Sequence, residues 1–202
     1  MAIKGKIGDF SYNDERARGG NHPAVIMSGL FALALVLLPV GLLLARGLDG
    51  KLTSWLKAMT GVLGEGDGTE KTFVFDLKGP IVPGTLVIDD GVEAFTDDGF
   101  GTLTGDGATT PGTGKIDYRT GKGTVTFKTA PLAEADIEAT WEPVPVGVLD
   151  EDLDTDRSTS GLYIRHGSVR KDVLKVPADA GGYEAPAAAM LKTLEDAGIY
   201  PE

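Results

Sequence analysis

Residues 24–45 read AVIMSGLFALALVLLPVGLLLA and carry no charged side chain. A membrane-spanning helix needs about 20 apolar residues, so the length alone permits a membrane span. The same stretch could form buried strands, because residues 30–37 alternate large and small side chains and Pro39 and Gly41 then favour a turn before a second strand. Leucine and alanine, however, favour helix. The pattern alone leaves both structures open.

Composition limits the class of protein. The chain has 202 residues, 42% hydrophobic and 24% charged, which is enough for one large or two small globular domains. Its 29 glycines and 11 prolines favour many turns between short strands. The net charge of −11 argues against nucleic-acid binding and suits a soluble surface or a partner with basic patches. No cysteine is present, which excludes disulfides and thiol chemistry.

The middle of the chain has the pattern of a small β-domain. Residues 64–68, GEGDG, predict a flexible acidic linker. Short alternating segments then follow one another at even spacing, separated by Asp-Gly and Pro-Gly turns. Residues 116–121 and 123–128 predict a hairpin. The region predicts a small antiparallel sandwich or barrel.

The flanking regions mix strand and helix signals. Apolar side chains at helical spacing over residues 52–63 predict a short helix packed on the core. Residues 146–149 predict a buried strand, and residues 161–167 and 168–170 predict the next strand and a turn. Pro186 and Gly198 bracket a predicted helix over residues 187–197, with proline first and glycine last.

Several polar patterns are weak matches to known site motifs. The aspartates at alternate positions in residues 150–156 resemble the start of a calcium loop, but Thr155 and Gly161 occupy the positions that need Gly and Glu. A solvated acidic loop is the simpler interpretation. Residues 112–115 and 121–123 depart from the phosphate-loop spacing and predict β-turns.

No pattern predicts catalysis. His22 and His166 have no histidine or acidic residue at a metal-binding spacing, and His166 is interpreted as a hydrogen-bonding turn residue at a strand end. The serines lack a G-x-S-x-G context. Asp117 stands beside Tyr118, but no motif places a second acid. The sequence therefore predicts no enzyme, no cofactor site and no metal site.

The last sixty residues resemble a known family. VPVGVL at 144–149, the acidic loop after it and YIRHGSVRKDVL at 163–174 resemble the lambda-like phage head decoration proteins, and residues 187–197 would be their short closing helix. Near the start, GDFSY at 8–12 and HPAV at 22–25 resemble the arm and first strand of that family.

The run at 38–45, LPVGLLLA, resembles a β-element of the same family. The resemblance therefore favours buried β-structure for the apolar stretch over a membrane helix. Part of its leucine face is then expected at a subunit interface.

The middle region resembles a β-module that recurs in phage virion proteins. PIVPGT at 80–85, DDGFGTL at 97–103 and GKIDYRTG at 114–121 carry this resemblance. The expected fold is mainly β (α+β), with a decoration-protein-like core, a short C-terminal helix and an inserted antiparallel sandwich or barrel. The expected domains are an extended N-terminal arm at 1–21, a discontinuous core at 22–64 and 143–202, and an inserted β-domain at 65–142.

The resemblance implies a capsid decoration, or cement, protein. Such a protein binds the outer surface of the expanded head as a homotrimer, and its arm adds a strand to the major capsid protein. Ile7, Phe10 and Tyr12 are the expected capsid contacts. The expected location is the exterior of the virion after synthesis in the host cytoplasm, without nucleic acid, cofactor or membrane as partners.

Two alternatives remain at this point. One is a single-pass membrane protein that spans the bilayer with residues 24–45 and exposes a β binding domain. The other is a phage tail or baseplate module that shares the inserted β-unit.

Overall fold

The computed structural model describes residues 16–32, 36–107 and 110–202. The chain is mainly β, with antiparallel sheets and a short helix near its C-terminal end, which confirms the predicted fold class at that level. The strands are, in chain order, β1 (Val25–Leu30), β2 (Leu37–Leu38), β3 (Leu43–Arg46), β4 (Leu52–Ser54), β5 (Met59–Glu65), β6 (Thr72–Asp76), β7 (Val87–Asp89), β8 (Ala94–Asp97), β9 (Thr102–Gly105), β10 (Thr113–Asp117), β11 (Lys122–Thr126), β12 (Asp136–Trp141), β13 (Gly147–Leu149), β14 (Leu153–Asp154), β15 (Ser160–Val169), β16 (Val176–Pro177), β17 (Tyr183–Glu184) and β18 (Ile199–Pro201). A 3₁₀ turn at Lys171–Val173 and the helix α1 at Ala188–Asp196 complete these elements.

Strands β5 to β12 form one eight-stranded sheet in the order β5-β12-β7-β8-β9-β10-β11-β6. The sheet curls until it is nearly closed, like a barrel. Its interior is apolar, and Phe95 packs edge-on against Phe127 with ring centroids 4.9 Å apart. The predicted hairpin is confirmed, because β10 pairs with β11 across the turn at Gly121.

A row of exposed β-branched side chains runs across all eight strands of this sheet. Each member is paired in register with the next, and seven of the eight are threonines. In sheet order they are Thr60, Thr140, Val87, Thr96, Thr104, Thr113, Thr126 and Thr72. Such cross-strand pairs stabilise a sheet and fix its register, because a one-residue slip would bring these hydroxyls into the core.

The two flanks of the chain together form a six-stranded sheet in the order β1-β15-β13-β3-β4, with β18 parallel to β15. Phe31 follows β1 directly and bridges to Leu52 in β4. The amide of Ala32 also donates to the carbonyl of Leu52 at 2.8 Å. The two ends of this sheet therefore approach each other through Phe31.

The described part of the apolar stretch at 24–45 forms strands, as the resemblance favoured. Leu42, Leu43, Leu44 and Ala45 have no exposed surface and pack in the buried core. We use the name body for the six-stranded sheet and the other described residues outside the range 59–141. Residues 33–35 lie outside the described residues. Among the residues described, no helix is long and apolar enough to cross a membrane.

The pattern of this stretch predicts a turn at residues 38–41 with Pro39 in its second position, and the structure places the turn one residue later. The amide of Leu42 donates to the carbonyl of Pro39 at 3.2 Å, so Gly41 takes the third position of the turn with φ +82°. Glycine is favoured there because it has no Cβ to clash at positive φ. The turn is fixed from both sides, since Gly41 donates to Leu149 at 2.9 Å and accepts from Lys175 at 2.9 Å.

The predicted helix over residues 52–63 is wrong. The chain there forms β4 and β5, in which Leu52 pairs with Arg46 and Met59 pairs with Trp141. Thr53, Ser54 and Gly61 have weak helix propensity, and neighbouring strands offer backbone partners that a helix would lose. Tertiary pairing therefore overrides the helical spacing.

The segment 64–68, predicted as a flexible linker, is held to the neighbouring connection by backbone hydrogen bonds. The amide of Gly66 donates to Ala135 at 2.8 Å, and that of Gly68 donates to Pro131 at 2.9 Å. Residues 59–65 belong to the eight-stranded sheet, whose strands all lie between residues 59 and 141. The division of the chain into domains stays a prediction.

The predicted C-terminal helix is confirmed as α1. It ends at Asp196 and is followed by the cap residue Ala197 and by Gly198, whose φ of +84° is the left-handed conformation usual after a helix. Leu194 is fully buried on its inner face, and β18 follows at once and joins β15.

Candidate functional site

The residues expected to contact a capsid, Ile7, Phe10 and Tyr12, lie outside the described residues. What the structure describes is the segment that follows them, residues 16–22, here named the arm root. Ala17 in this segment has no exposed surface. Its amide donates to Asp150 at 3.3 Å, and its carbonyl accepts from Arg170 at 2.9 Å. The arm root is therefore fastened to the body rather than frayed.

Asp150 is the electrostatic anchor of the arm root. Its carboxylate is fully buried and accepts three hydrogen bonds from the guanidinium of Arg18, the shortest at 2.6 Å. Arg16 adds a fourth at 3.3 Å. A buried charge is tolerated only when it is paired, and two arginines satisfy that requirement here.

The interpretation of residues 150–156 as a solvated loop is therefore wrong for Asp150, although Asp152 and Asp156 are exposed. Asp152 instead accepts the amide of Val40 at 2.7 Å and so ties the loop to the turn before β3. Within the described ranges, no group of three or more acidic or histidine side chains is arranged to hold a metal.

Glu202 holds the arm root from a second direction. Its carboxylate accepts hydrogen bonds from the amides of Gly20 and Asn21, the latter at 3.0 Å. The hydrogen bond from Asn21 is the largest cause that lowers the pKa of Glu202 below the ordinary value of 4.5. The negative charge of this side chain thus favours the docked arm root.

We expect acid to release this contact. Because the pKa of Glu202 is lower in the folded state, its contribution to docking is full above about pH 4.5. It is lost as the pH falls through the lowered pKa. In an NMR titration, the amide resonances of Gly20 and Asn21 should move together below that pH. Glu202→Gln serves as the control: its carbonyl still accepts a hydrogen bond but does not titrate, and an unchanged titration in this variant would contradict the assignment.

Beyond the arm root, β1 presents an apolar edge. Val25, Met27 and Leu30 are exposed by 50%, 45% and 63%. Further along the chain, Val36 and Leu37 are exposed by 46% and 59%. In the part of the chain that the structure describes, β15 is the strand paired with β1, and the other edge of β1 between Val25 and Leu30 has no strand partner. An open edge with large exposed apolar side chains is typical of a protein–protein interface.

The polar groups considered for catalysis have structural roles. The hydroxyl of Tyr118 donates to Asp97 at 2.5 Å rather than to the adjacent Asp117. Burial, followed by that hydrogen bond, raises the pKa of Tyr118 to about 12. The side chain therefore stays protonated and acts as a hydrogen-bonding support.

His166 does not lie at a strand end, as the sequence suggested, but inside the long β15. Its ring stands edge-on to Tyr200 with centroids 5.9 Å apart, and Gly198 packs against it. Tyr200 lies next to His166 because β18 runs parallel to β15.

An apolar cleft beside α1 has a volume of about 370 Å³ and is lined by Trp55, Met190, Pro177 and Pro186, among others. The indole of Trp55 donates to the carbonyl of Pro143 at 2.7 Å, so this polar group is already satisfied. The cleft contains no nucleophile placed beside a base.

Comparison of the chain with protein-family models, with curated proteins and with solved structures finds no match. The candidate site consequently rests on geometry: an anchored arm root that leads into an exposed apolar edge.

Proposed function

We propose that this protein is a phage capsid decoration protein that binds the outer surface of the expanded head and stabilises it. The observation that carries the proposal is the continuity of the arm root with the exposed edge of β1. A segment that is fastened to the body and leads directly into an open apolar edge suits an interface with another protein.

The mechanism needs adhesion rather than chemistry. Residues 1–15 pair as an extended arm with the major capsid protein, with Ile7, Phe10 and Tyr12 in apolar pockets of that partner. The arm root keeps this arm at a fixed origin on the body, because Ala17 is buried and Asp150 binds Arg18. A pull on the arm is therefore transmitted to the body instead of unravelling it.

Assembly as a trimer multiplies the affinity of each arm. Once the first arm is bound, the other two bind at a high effective concentration. In this proposal the exposed apolar side chains of β1, including Val25 and Met27, meet a neighbouring copy or the capsid. The acidic surface, with a net charge of −11, keeps the free protein soluble before it binds the exterior of the head.

The single-pass membrane alternative is not proposed, because Leu42, Leu43 and Leu44 of the apolar stretch are buried in the core as part of a sheet.

The test is binding to expanded, undecorated heads, measured by co-sedimentation with the full chain. We expect the triple variant Ile7→Ala, Phe10→Ala, Tyr12→Ala to bind at least about 100-fold more weakly, because truncating interface anchors removes most of the binding energy. The matched control replaces by alanine three exposed apolar residues in the eight-stranded sheet and its connections: Val74, Val92 and Leu132, which are 81%, 69% and 67% exposed. This control should bind like the wild type.

Two results would contradict the proposal. If the wild-type chain fails to bind heads, the decoration function is wrong. If the arm variant binds as well as the control, the arm has no role.

Any deletion should stop at residue 15, since Ala17 and the residues after it are part of the packed body. Light scattering of the free chain should give the mass of a trimer.

A further inference from the structure

The cleft beside α1 has no part in the proposed function, and it continues into a neighbouring hollow. Its volume of about 370 Å³ lies within the range of about 300–1,000 Å³ that is usual for binding pockets. Leu56 and Pro177 line both this cleft and a second hollow of about 440 Å³, which Tyr183 also lines. We name the two hollows together the α1 groove. Two joined hollows suit an extended segment of chain better than a compact small molecule.

The walls of the α1 groove are largely apolar. Trp55 and Val176 line it with nearly all of their own surface buried, whereas Leu56 and Tyr183 are exposed by 45% and 42%. An occupant with apolar side chains gains the free energy of removing this exposed surface from water. Exposure alone does not identify the occupant, so the charges and the reach of the chain must do so.

Carboxylates outnumber cations along the groove. Glu142, Asp179 and Glu184 line the first hollow, together with the ammonium of Lys57. Within residues 16–32, 36–107 and 110–202, none of these three carboxylates belongs to an ion pair. The side chains that line the second hollow are uncharged. An occupant that carries lysine or arginine beside apolar residues therefore complements the groove.

The chain contains such a segment ahead of the arm root. Residues 2–7 read AIKGKI, and the first acidic residue of the chain is Asp9. This segment lies outside the described residues. In an extended segment, alternate side chains point to opposite sides, so Ile3 and Ile7 share one side and Lys4 and Lys6 the other. The isoleucines can then face an apolar wall while the long lysine stems bend towards carboxylates at its rim.

The groove lies within reach of this segment in the same chain. The amide of Arg170 donates to the carbonyl of Ala17 at 2.9 Å, which places the arm root beside Arg170. From Arg170 the chain reaches Val176, which lines the groove, in six residues, a distance of at most about 22 Å. The paired backbones add about 5 Å. The ten residues from Ala17 back to Ile7 span up to about 35 Å, which is enough to enter the groove.

The edge of β4 offers hydrogen bonds to an extended occupant. Thr53 and Ser54 of this strand line the second hollow. Among the described strands β4 lies last in its sheet and pairs with β3, and its other edge contacts Phe31 through Leu52. An unpaired strand edge next to an apolar groove is a usual docking place for an extended segment, which adds to it as a further strand.

We propose that in the free protein residues 2–7 lie in the α1 groove of their own chain, with Ile3 and Ile7 on its apolar wall and Lys4 and Lys6 at its carboxylates. This inference goes beyond the decoration function, because it concerns the free protein and involves no head. It gives the arm a resting place on the body. Binding to a partner then requires that Ile7 leaves the groove.

The test is zero-length carbodiimide cross-linking, which joins a lysine to a carboxylate in contact with it. The free full-length protein is used as an equal mixture of unlabelled and ¹⁵N-labelled chains. We expect Lys4 or Lys6 to be linked to Glu142, Asp179 or Glu184, with both linked peptides from the same isotopic chain.

Two arm variants separate docking from chance contact. Ile3→Ala with Ile7→Ala keeps both lysines, and it should lower the yield of these cross-links at least about fivefold, because the apolar contacts with the groove are lost. Phe10→Ala with Tyr12→Ala is the matched control. It changes the arm outside residues 2–7 and should cross-link like the wild type.

Each outcome decides the inference. Links that join labelled to unlabelled chains would place the segment in the groove of a second copy and overturn the proposal. The absence of links to the groove carboxylates would overturn it as well, and so would an unchanged yield in the isoleucine variant. Since the experiment contains no heads, its failure leaves the decoration function standing, and a failure to bind heads leaves this inference standing.

Discussion

Replacing Gly41 by alanine is expected to lower the free energy of unfolding by about 4 kcal/mol. A Cβ built at this position would lie 1.9 Å from the carbonyl oxygen of Val173, which belongs to the backbone and cannot rotate away. The φ of +82° adds the strain of a left-handed conformation to this clash. Urea denaturation followed by tryptophan fluorescence measures the change, since Trp55 and Trp141 are both buried.

Gly50 provides a matched control for that variant. Its φ of +77° is similar, but a Cβ there would meet no atom within 4 Å. Gly50→Ala should therefore cost only the conformational strain, about 1–2 kcal/mol. If both variants lose the same free energy of unfolding, the predicted clash with the carbonyl of Val173 does not contribute to the cost at Gly41.

Asp150→Asn is expected to destabilise the protein by about 3 kcal/mol and to loosen the arm root. The substitution keeps the shape of the side chain but removes the buried charge that binds Arg18. Breaking a buried pair costs about 3–5 kcal/mol, and the partial exposure of both arginines places this case at the lower end. Hydrogen exchange should increase at Ala17 and Gly19, whose amides bond to the body.

The control for Asp150 is Asp196→Asn, which removes an exposed ion pair with Lys192 at 3.4 Å. Both side chains of that pair are more than two-thirds exposed, so the variant should cost less than about 0.5 kcal/mol. If Asp150→Asn were as mild as this control, or left exchange in the arm root unchanged, the anchoring role of Asp150 would be wrong.

Much of the fold could be predicted from local signals. Alternation and turn residues indicated a mainly β chain, and the hairpin at Gly121 and the helix before Gly198 follow from short sequence patterns. The segment at 52–63 could not be predicted this way. Its spacing fits a helix, and only the pairing of Met59 with Trp141, 82 residues later, decides for a strand.

The candidate site was less accessible to prediction. The arm contacts came from a resemblance and remain predictions. The burial of Asp150 depends on Arg16 and Arg18, which are more than 130 residues away in sequence, and an acidic run normally indicates a solvated loop.

The pairing of Met59 with Trp141 has a consequence for how this chain can vary. The chain enters the eight-stranded sheet and leaves it at two neighbouring residues of paired strands, with Trp55 and Pro143 joined just outside them. The distance that the body must close between β4 and β13 is therefore short. Changes in the length of the connections between residues 59 and 141 can therefore occur without moving β4 away from β13.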